Sequence, residues 1–147
     1  MIPAGRSVLI VDDDEDVLVL LDHALAAHRF EVATATSVRQ ALSLMEGQHF
    51  DAVVTDKNMP GGSGLELVRG VALKYPNTAV LLMTAHPEGR VNKLPIDGYL
   101  PKPFKSLHDV RDTLERALAR RAVRRKLDSV KADLERSSRA PGESDST

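Results

Sequence analysis

The sequence contains no cysteine and no tryptophan, and aromatic residues make up only 3% of its 147 residues. The absence of cysteine excludes disulfide bonds and thiolate metal sites, and it is compatible with a reducing cytosol. No early basic segment leads into a long apolar run, so we predict neither a signal peptide nor a transmembrane helix. These absences are typical of a soluble, cytoplasmic protein, and the length favours one domain with an appendage.

An excess of charge of one sign is also lacking, since the formal net charge is −1. The total gives no argument for binding to nucleic acid or to a charged membrane surface. The distribution is uneven, however: residues 1–104 contain 9 Lys and Arg against 13 Asp and Glu, a balance of −4, whereas residues 105–140 contain 11 against 6, a balance of +5. We therefore predict a mildly acidic body that carries a basic extension.

Short apolar segments alternate with segments of helical periodicity. Five apolar segments are predicted to be strands: SVLIV (7–11), FEVATA (30–35), FDAVVT (50–55), TAVLLMT (78–84) and GYL (98–100). Ser37 with Gln40 and Ser63 with Glu66 match the capping-box pattern of helix starts, and Ser106 precedes a long helical stretch. This alternation predicts right-handed β-α-β units, and hence an α/β fold whose parallel sheet is covered by helices on both faces.

Polar side chains stand at the carboxyl ends of the predicted strands. Asp12 and Asp13 follow the first strand, Asp56 the third and Thr84 the fourth, while the fifth leads into Lys102. In an open parallel sheet these ends meet at one edge, where the functional crevice lies. Carboxylates gathered there would repel one another unless Mg²⁺ or a lysine neutralised them, and one of them could then act as a nucleophile toward phosphorus.

Four segments together resemble the receiver domain of bacterial two-component response regulators: VDDDED (11–16), VVTDKNMPGGSGLEL (53–67), LLMTAH (81–86) and GYLPKPF (98–104). The resemblance covers roughly residues 6–120 and implies a doubly wound, flavodoxin-like sheet of five parallel strands in the order 2-1-3-4-5. It also implies a signalling domain rather than an enzyme. Such a domain accepts a phosphoryl group from a sensor histidine kinase or a phosphotransfer protein with Mg²⁺, catalyses only its own phosphotransfer and dephosphorylation, and controls an output through protein contacts.

The resemblance assigns Asp56 as the phosphoacceptor. It implies that Mg²⁺ is held by Asp13, by Asp12 (partly through water), by Asp56 and by the main-chain carbonyl of Asn58. These expectations rest on the match between the quoted motifs and the family, position by position.

The same resemblance implies a group of residues that contact or respond to the phosphoryl group. Thr84 and Lys102 would contact it, Tyr99 would swing inward as Thr84 responds, and the Lys102–Pro103 peptide bond would be cis, which only an X-Pro bond permits at low cost. Two further residues would either tune the lifetime of the phosphate or be ordinary solvent-facing loop residues: Lys57 and His86.

Two other functions stay open on the residues alone. One is a phosphatase of the haloacid-dehalogenase type, which also uses a strand-end aspartate and Mg²⁺. Its nucleophile and acid lie two residues apart, here Asp12 and Asp14, but the chain shows no cap domain, and Lys102 followed by Pro103 fits a receiver better. The other is a receiver that acts as an interaction module without phosphorylation, against which the complete set of site residues argues.

The segment between Thr84 and Tyr99 departs from the receiver pattern. It is several residues short for a full helix, and three residues within it disfavour one: Pro87, Gly89 and Pro95. We therefore predict a shortened, irregular or absent fourth helix, which would alter the face through which receivers commonly signal and dimerise. GGSG (61–64) is rich in glycine, which predicts a mobile loop near the site.

The resemblance and the periodicity divide the chain into a receiver domain (1–120), a helical extension (121–138) and a disordered polar tail (139–147). An extended C-terminal helix is predicted from Ser106 to about residue 137, with two short heptad-like stretches separated by a slip. Four interpretations of the basic extension stay open: a coiled coil that makes a homodimer, a linker to an output domain, a docking helix, and a nucleic-acid element. Since no groove-reading module accompanies it, DNA binding is disfavoured; a solvated charged helix face is the simplest alternative.

Overall fold

The computed structural model describes residues 6–85 and 94–138. The predicted shortening of a fourth helix concerns the segment between Thr84 and Tyr99, of which residues 86–93, including His86, lie outside the described residues. The predicted disordered tail, residues 139–147, lies outside them as well.

The described residues form seven strands and four helices. The strands are β1 (Ser7–Val11), β2 (Glu31–Ala35), β3 (Ala52–Asp56), β4 (Asn58–Met59), β5 (Gly62–Ser63), β6 (Ala79–Thr84) and β7 (Gly98–Pro101). The helices are α1 (Glu15–Ala26), α2 (Val38–Gly47), α3 (Gly64–Lys74) and α4 (Leu107–Ser137).

Five strands make one parallel sheet in the order β2-β1-β3-β6-β7. Its register pairs Val8 with Val32 on one side and with Ala52 on the other, and Ala52 pairs in turn with Ala79. Counted along the sheet strands alone, this is the order 2-1-3-4-5. The predicted α/β fold with a doubly wound, five-stranded parallel sheet is therefore confirmed.

Each face of the sheet carries its own hydrophobic core, because successive side chains of a strand point to opposite faces. On one face, Val8 and Ile10 pack against α1 and the first part of α4. On the other, Leu9 and Val11 pack against α2 and α3. Helices on both faces explain why the central strands are apolar at nearly every position rather than alternating.

Serine side chains cap the starts of α2 and α3, though in different ways. Ser37 Oγ accepts the main-chain N–H of Gln40 over 3.1 Å, as the predicted capping box requires. Ser63 caps α3 as predicted, but its Oγ accepts the main-chain N–H of Leu65 over 3.0 Å rather than that of Glu66. Ser63 also ends β5, and its hydroxyl makes the two-residue bond of an ST turn.

Helix α4 is uninterrupted for 31 residues, which corresponds to a length of about 46 Å. Its buried residues all lie in the first part, on the sheet: Val110, Leu114 and Ala117. Further along, four apolar side chains are 46–63% exposed: Val123, Leu127, Val130 and Leu134. The extended C-terminal helix is therefore confirmed, and residue 120, the predicted end of the receiver domain, lies inside it.

Arg121 and Asp97 fasten α4 to the sheet where the helix leaves the body. Arg121 Nε donates to Asp97 Oδ1 over 2.8 Å, and its Nη1 donates to the carbonyl of Pro76 over 2.7 Å. Asp97 Oδ2 in turn accepts the main-chain N–H of Val80, in β6, over 2.7 Å. The two side chains are only 18% and 14% exposed, so this ion pair is shielded from much of the solvent.

Residues 58–63 form a small antiparallel hairpin, β4 and β5, directly after β3. The turn consists of Pro60 and Gly61, whose positive φ of 77° favours glycine, as in a type II turn. Met59 is 9% exposed and joins the core against α2 and α3. Strand pairing and a buried side chain thus make these residues a hairpin rather than an irregular loop, and the mobility predicted for residues 61–64 stays a prediction.

Candidate functional site

Three carboxylates meet at the carboxyl edge of the sheet. Asp12 and Asp13 follow β1 directly, and Asp56 is the last residue of the neighbouring strand β3. One oxygen of each carboxylate lies within 4.8 Å of the other two. Asp12 is buried whereas Asp13 is exposed, so the cluster opens to solvent on one side.

Lys102 brings a positive charge into this cluster. Its Nζ donates to Asp12 Oδ2 over 2.6 Å and to Asp56 Oδ1 over 3.2 Å. Lys102 directly follows the edge strand β7, so its long side chain crosses the end of β6 to reach the acids. The Lys102–Pro103 peptide bond is cis.

The turn after β1 holds Asp12 in place. Its Oδ1 accepts the main-chain N–H of Asp14 over 2.9 Å, which leaves Oδ2 for Lys102. Asp14 caps α1 by accepting the N–H of Asp16 over 2.9 Å, and Glu15 and Asp16 place negative charge at the positive end of the helix dipole. The Asp14 side chain thus caps the helix, whereas the haloacid-dehalogenase alternative would use it as the acid beside an Asp12 nucleophile.

Gly64 permits the chain to pass close behind Asp56. A β-carbon at position 64 would overlap the main-chain carbonyl oxygen of Asp56 and come within 3.1 Å of Lys57 Cα. The amide of Gly64 donates to the carbonyl of Lys57 over 2.9 Å, closing the β4–β5 hairpin at its base. The hairpin that contains Asn58 is therefore packed directly against the backbone that carries Asp56.

The cluster holds more negative than positive charge, and this shifts the pKa values of Asp56 and Lys102. Burial raises the pKa of Asp56 above its usual range, and the nearby charge of Asp12 raises it further; the hydrogen bond from Lys102 offsets only part of this. Burial lowers the pKa of Lys102, but the hydrogen bonds and charges of Asp12 and Asp56 raise it by more, so the lysine remains protonated. Three carboxylates beside one lysine therefore favour binding of a further cation.

The donor set suits a hard divalent cation. Carboxylate oxygens from Asp12, Asp13 and Asp56 lie close enough to share one ion, and the exposed side of the cluster leaves room for the waters that Mg²⁺ retains. Asn58 lies two residues beyond Asp56 at the start of β4, with an exposed side chain. The residues present therefore fit Mg²⁺.

Three other predicted site residues lie on or next to the strands of this sheet: Thr84, Tyr99 and Lys57. Thr84 ends β6 and is 4% exposed, whereas Tyr99, in β7, is 41% exposed. The register pairs Leu82 with Tyr99 and Thr84 with Pro101, which puts Thr84 and Tyr99 on the same face of the sheet, two residues apart. Lys57 is partly exposed, and its amide donates to the carbonyl of Met83 over 3.0 Å.

A groove of about 650 Å³ opens beside Lys102, between the start of α1 and the segment that joins β7 to α4. Its walls include four apolar side chains: Val17, Leu20, Phe104 and Leu107. Leu20 is 46% exposed and Leu107 36%, so the groove presents an apolar surface beside Lys102.

Sequence reasoning missed the hairpin and the role of Gly64. Pro60 and Gly61 between Met59 and Gly62 were a turn signal of the proline-glycine kind, which could have predicted the hairpin. Gly64 carried a weaker signal, since its requirement arises from contact with a residue eight positions earlier and no local pattern records that contact.

A doubly wound parallel sheet with an acid cluster and a lysine at its carboxyl edge defines a class of signalling domain. Residues 8–115 match the family model of the response regulator receiver domain. This match spans well over half of the chain, and the chain therefore belongs to the response regulator receiver domain family. The predicted family is confirmed, and the chain is a receiver domain of the two-component type.

Similar proteins include regulators that are much longer than the aligned region. The chain is 39% identical over 102 residues to protein PetR of Rhodobacter capsulatus, covering 67% of the chain and 43% of PetR. It is 36% identical over 81 residues to the response regulator protein PilR of Pseudomonas aeruginosa, covering 55% of the chain and 18% of PilR. The chain thus spans less than half the length of these relatives.

Solved structures show the same fold. The chemotaxis response regulator CheY4 of Vibrio cholerae superposes with a TM-score of 0.71 at 30% identity, covering 76% of the chain and 98% of CheY4. The signal receiver domain of an HD domain-containing protein from Pseudomonas fluorescens Pf-5 gives a TM-score of 0.76 at 25% identity, covering 86% and 96%. Across residues 6–85 and 94–138, no helix is both long and apolar enough to cross a membrane.

Proposed function

We propose that this receiver acts in the cytoplasm as a phosphoacceptor, with Asp56 taking a phosphoryl group from a phosphohistidine of a sensor kinase or phosphotransfer protein. The observation that carries this proposal is the convergence of Asp12, Asp13, Asp56 and Lys102 at the carboxyl edge of the sheet. Membership of the receiver family supports the signalling class.

In the proposed step, a carboxylate oxygen of Asp56 attacks phosphorus. A new P–O bond forms, the P–N bond of the phosphohistidine breaks, and the imidazole nitrogen keeps the electron pair of that bond. Lys102, already 3.2 Å from Asp56 Oδ1, is placed to stabilise the negative charge on the transferred group. Later attack by water on phosphorus would release inorganic phosphate and restore the carboxylate.

Mg²⁺ would be held by the carboxylates of Asp12, Asp13 and Asp56 and by the main-chain carbonyl of Asn58, and it would neutralise charge on the phosphoryl oxygens when bound. Gly64 supports this arrangement because it fixes the hairpin that carries Asn58 against Asp56. Asp13, the exposed member of the cluster, lies on the side from which ion and phosphodonor would approach.

Transfer of the signal is proposed to begin at Thr84 and Lys102, which would move toward the phosphoryl group. Tyr99 lies on the same sheet face as Thr84 and is half exposed, so it has room to change its packing as Thr84 moves. Met83 directly precedes Thr84, and Leu100 lies two residues before Lys102. Both share a core with Val110 of α4. The base of α4 is therefore in direct contact with the strands that would respond, and an output through protein contacts would follow.

The apolar groove beside Lys102 is the proposed docking place of the phosphodonor. Leu20 and Leu107 offer exposed apolar contacts in the groove beside Lys102, which would hold a donor helix with its phosphohistidine toward Asp56.

Intact mass spectrometry after incubation with acetyl phosphate and Mg²⁺ tests the acceptor. The unmodified chain should gain one labile phosphoryl group and Asp56→Asn none, while Asp22→Asn, which changes an exposed acid on α1, should behave like the unmodified chain. An equal adduct on Asp56→Asn would identify a different acceptor. If no protein formed an adduct although Mg²⁺ still bound, a phosphorylation-independent interaction module would be favoured, and steady turnover of an aryl phosphate would indicate a phosphatase.

A further inference from the structure

We infer that the projecting part of α4, residues 120–137, pairs with the same segment of a second copy of the chain, the two helices running antiparallel. This inference goes beyond the phosphoacceptor function and does not depend on it. It rests on an apolar stripe, on the charge pattern along and beside that stripe, and on a groove at the point where α4 leaves the body.

The stripe consists of Val123, Leu127, Val130 and Leu134. Its spacing of four, three and four residues keeps all four side chains on one face of the helix. They are 46–63% exposed, although α4 packs firmly on the sheet through Val110, Leu114 and Ala117. An apolar stripe of this kind, on a helix that has already left the core, favours a helical partner.

Charge is distributed along the projecting segment with a clear polarity. Residues 119–126 contain five Lys and Arg and no acid, whereas residues 127–137 contain three acids and two Lys and Arg. Two copies placed antiparallel bring the basic half of one helix against the more acidic half of the other. Two copies placed parallel bring the basic halves together, which is unfavourable.

The antiparallel register that buries the stripe follows from its spacing. A two-fold axis between residues 128 and 129 places Leu127 opposite Val130 of the second copy, and Val123 opposite Leu134 of the second copy. Residues seven apart lie on the same side of the stripe, so Lys126 then neighbours Asp133 of the second copy, and the contact occurs twice by symmetry. On the other side of the stripe, Arg124 neighbours Lys131 of the second copy, because these two residues are also seven apart.

A parallel pair would produce the opposite electrostatics. In that arrangement the side of the stripe with Lys126 meets the side with Arg124 and Lys131, so like charges face each other at the centre of the contact. The antiparallel pair balances its unfavourable contact between Arg124 and Lys131 with a favourable one between Lys126 and Asp133, and it also places the basic half of each helix against the more acidic half of the other. Charge complementarity therefore selects the antiparallel pair.

A groove at the base of the projecting segment offers a seat for the end of the second helix. It has a volume of about 600 Å³ and lies between Ile96 and the side chains of Val123 and Leu127, with Arg120 and Arg124 at its margin. In the antiparallel register, Leu134 of the second copy lies over Val123 and thus at this groove. The proposed contact is therefore continuous from the helix stripe to the body of the receiver.

Sedimentation equilibrium of the full chain over a range of concentrations tests the pairing. A concentration-dependent monomer–dimer equilibrium is expected, and Leu127→Asp should weaken it by about tenfold or more because it removes apolar burial in both copies. Leu73→Asp is the matched control: Leu73 is 86% exposed on α3, so the same chemical change there should leave the dimer intact. A monomer at every concentration would overturn the proposal and leave the stripe to a different partner or to a further part of a longer chain.

Charge reversal separates the two orientations. In the antiparallel pair, Lys126→Glu faces Asp133 of the second copy and should weaken dimerisation, and Asp133→Lys in the same chain should restore it. In a parallel pair, Lys126→Glu would instead relieve repulsion from Arg124 and Lys131 and strengthen dimerisation, which would overturn the orientation.

Cysteine cross-linking gives an independent readout, since the chain has no cysteine of its own. Under mild oxidation, a mixture of Val123→Cys and Leu134→Cys chains, one of them isotopically labelled, should form mainly the mixed disulfide. Predominant Val123→Cys homodimers would indicate a parallel pair and contradict the inference. Both side chains are solvent-exposed, so the substitutions leave the core of the domain unchanged.

Discussion

Lys102 Nζ lies 2.6 Å from Asp12 Oδ2, closer than its 3.2 Å contact with Asp56. Asp12 is only 1% exposed, so the lysine compensates the carboxylate that water solvates least. Since Asp12 also belongs to the carboxylate cluster, a divalent cation bound there would compete with Lys102 for the Asp12 carboxylate. Cation binding at this site would therefore weaken the contact between Lys102 and Asp12.

The first prediction concerns this competition. Lys102→Gln should lower the dissociation constant for Mg²⁺ several-fold, because it removes a positive charge that repels the ion and occupies Asp12. Lys105→Gln, an exposed change three residues further along, should leave the affinity unchanged. Calorimetric titration measures both values, and unchanged or weaker Mg²⁺ binding by Lys102→Gln would contradict the competition.

The second prediction follows from the raised pKa of Asp56. The folded state holds this proton more tightly than the unfolded state, so ionisation of Asp56 makes folding less favourable as pH rises through the raised pKa. Without Mg²⁺, Asp56→Asn should therefore be more stable than the unmodified chain at neutral pH. The advantage should shrink as pH falls through the raised pKa and disappear below the usual range of an aspartate, where the group is protonated in both states.

Urea unfolding of the two proteins across this pH range provides the measurement, with Asp22→Asn as a surface control. Saturating Mg²⁺ should reduce or reverse the difference, because the ion stabilises the ionised cluster of the unmodified chain. A stability difference that did not vary with pH would show that the asparagine acts by packing rather than by removing charge.

The third prediction tests the close approach of Gly64 to Asp56. Gly64→Ala should destabilise the fold by roughly 1–3 kcal/mol, because its β-carbon overlaps main-chain atoms that cannot move aside independently. It should also weaken Mg²⁺ binding, since the displaced backbone carries Asp56 and leads into Asn58.

Gly70→Ala in the same helix is the control. It meets no atom within 4 Å, and alanine in a helix interior should stabilise by about 0.5–1 kcal/mol. Thermal unfolding and Mg²⁺ titration of both variants give the comparison; equal behaviour of the two alanines would refute the steric account.

The fourth prediction concerns the attachment of α4 at Asp97. Asp97→Ala removes the acceptor of both Arg121 Nε and the main-chain N–H of Val80, so it should cost about 1–3 kcal/mol of unfolding free energy. Asp112→Ala breaks an exposed pair with Arg116, 51% and 64% exposed, and should cost well under about 1 kcal/mol. Chemical denaturation measures both, and a similar loss for the two variants would argue against a special role of the shielded pair.

The fold could be predicted from the sequence because its signals are local. Apolar runs such as SVLIV gave the strands, and strand ends occupied by Asp12, Asp56 and Lys102 could be assigned to one edge by topology alone. Serine caps marked helix starts, since Ser37 and Ser63 both cap the helices that follow them.

The remaining features depend on contacts between residues distant in sequence. The division of Lys102 between Asp12 and Asp56 spans 90 and 46 positions, and the anchor between Asp97 and Arg121 spans 24. No periodicity or composition encodes such a contact, so the sequence could nominate the charged residues but could not say which of them are partners.

Helix α4 continues from the core into solvent without a break, so it would act as a lever. Its short arm, up to Ala117, is buried on the sheet, and its long arm extends beyond Ala117. About 20 residues, or roughly 30 Å, extend beyond Ala117, so a tilt of about 10° at the base would move the tip by about 5 Å. Rearrangements too small to remodel the body of the domain would thus be magnified at Leu134. Two such levers joined along their free arms would convert a tilt within each copy into a change of distance between the two bodies.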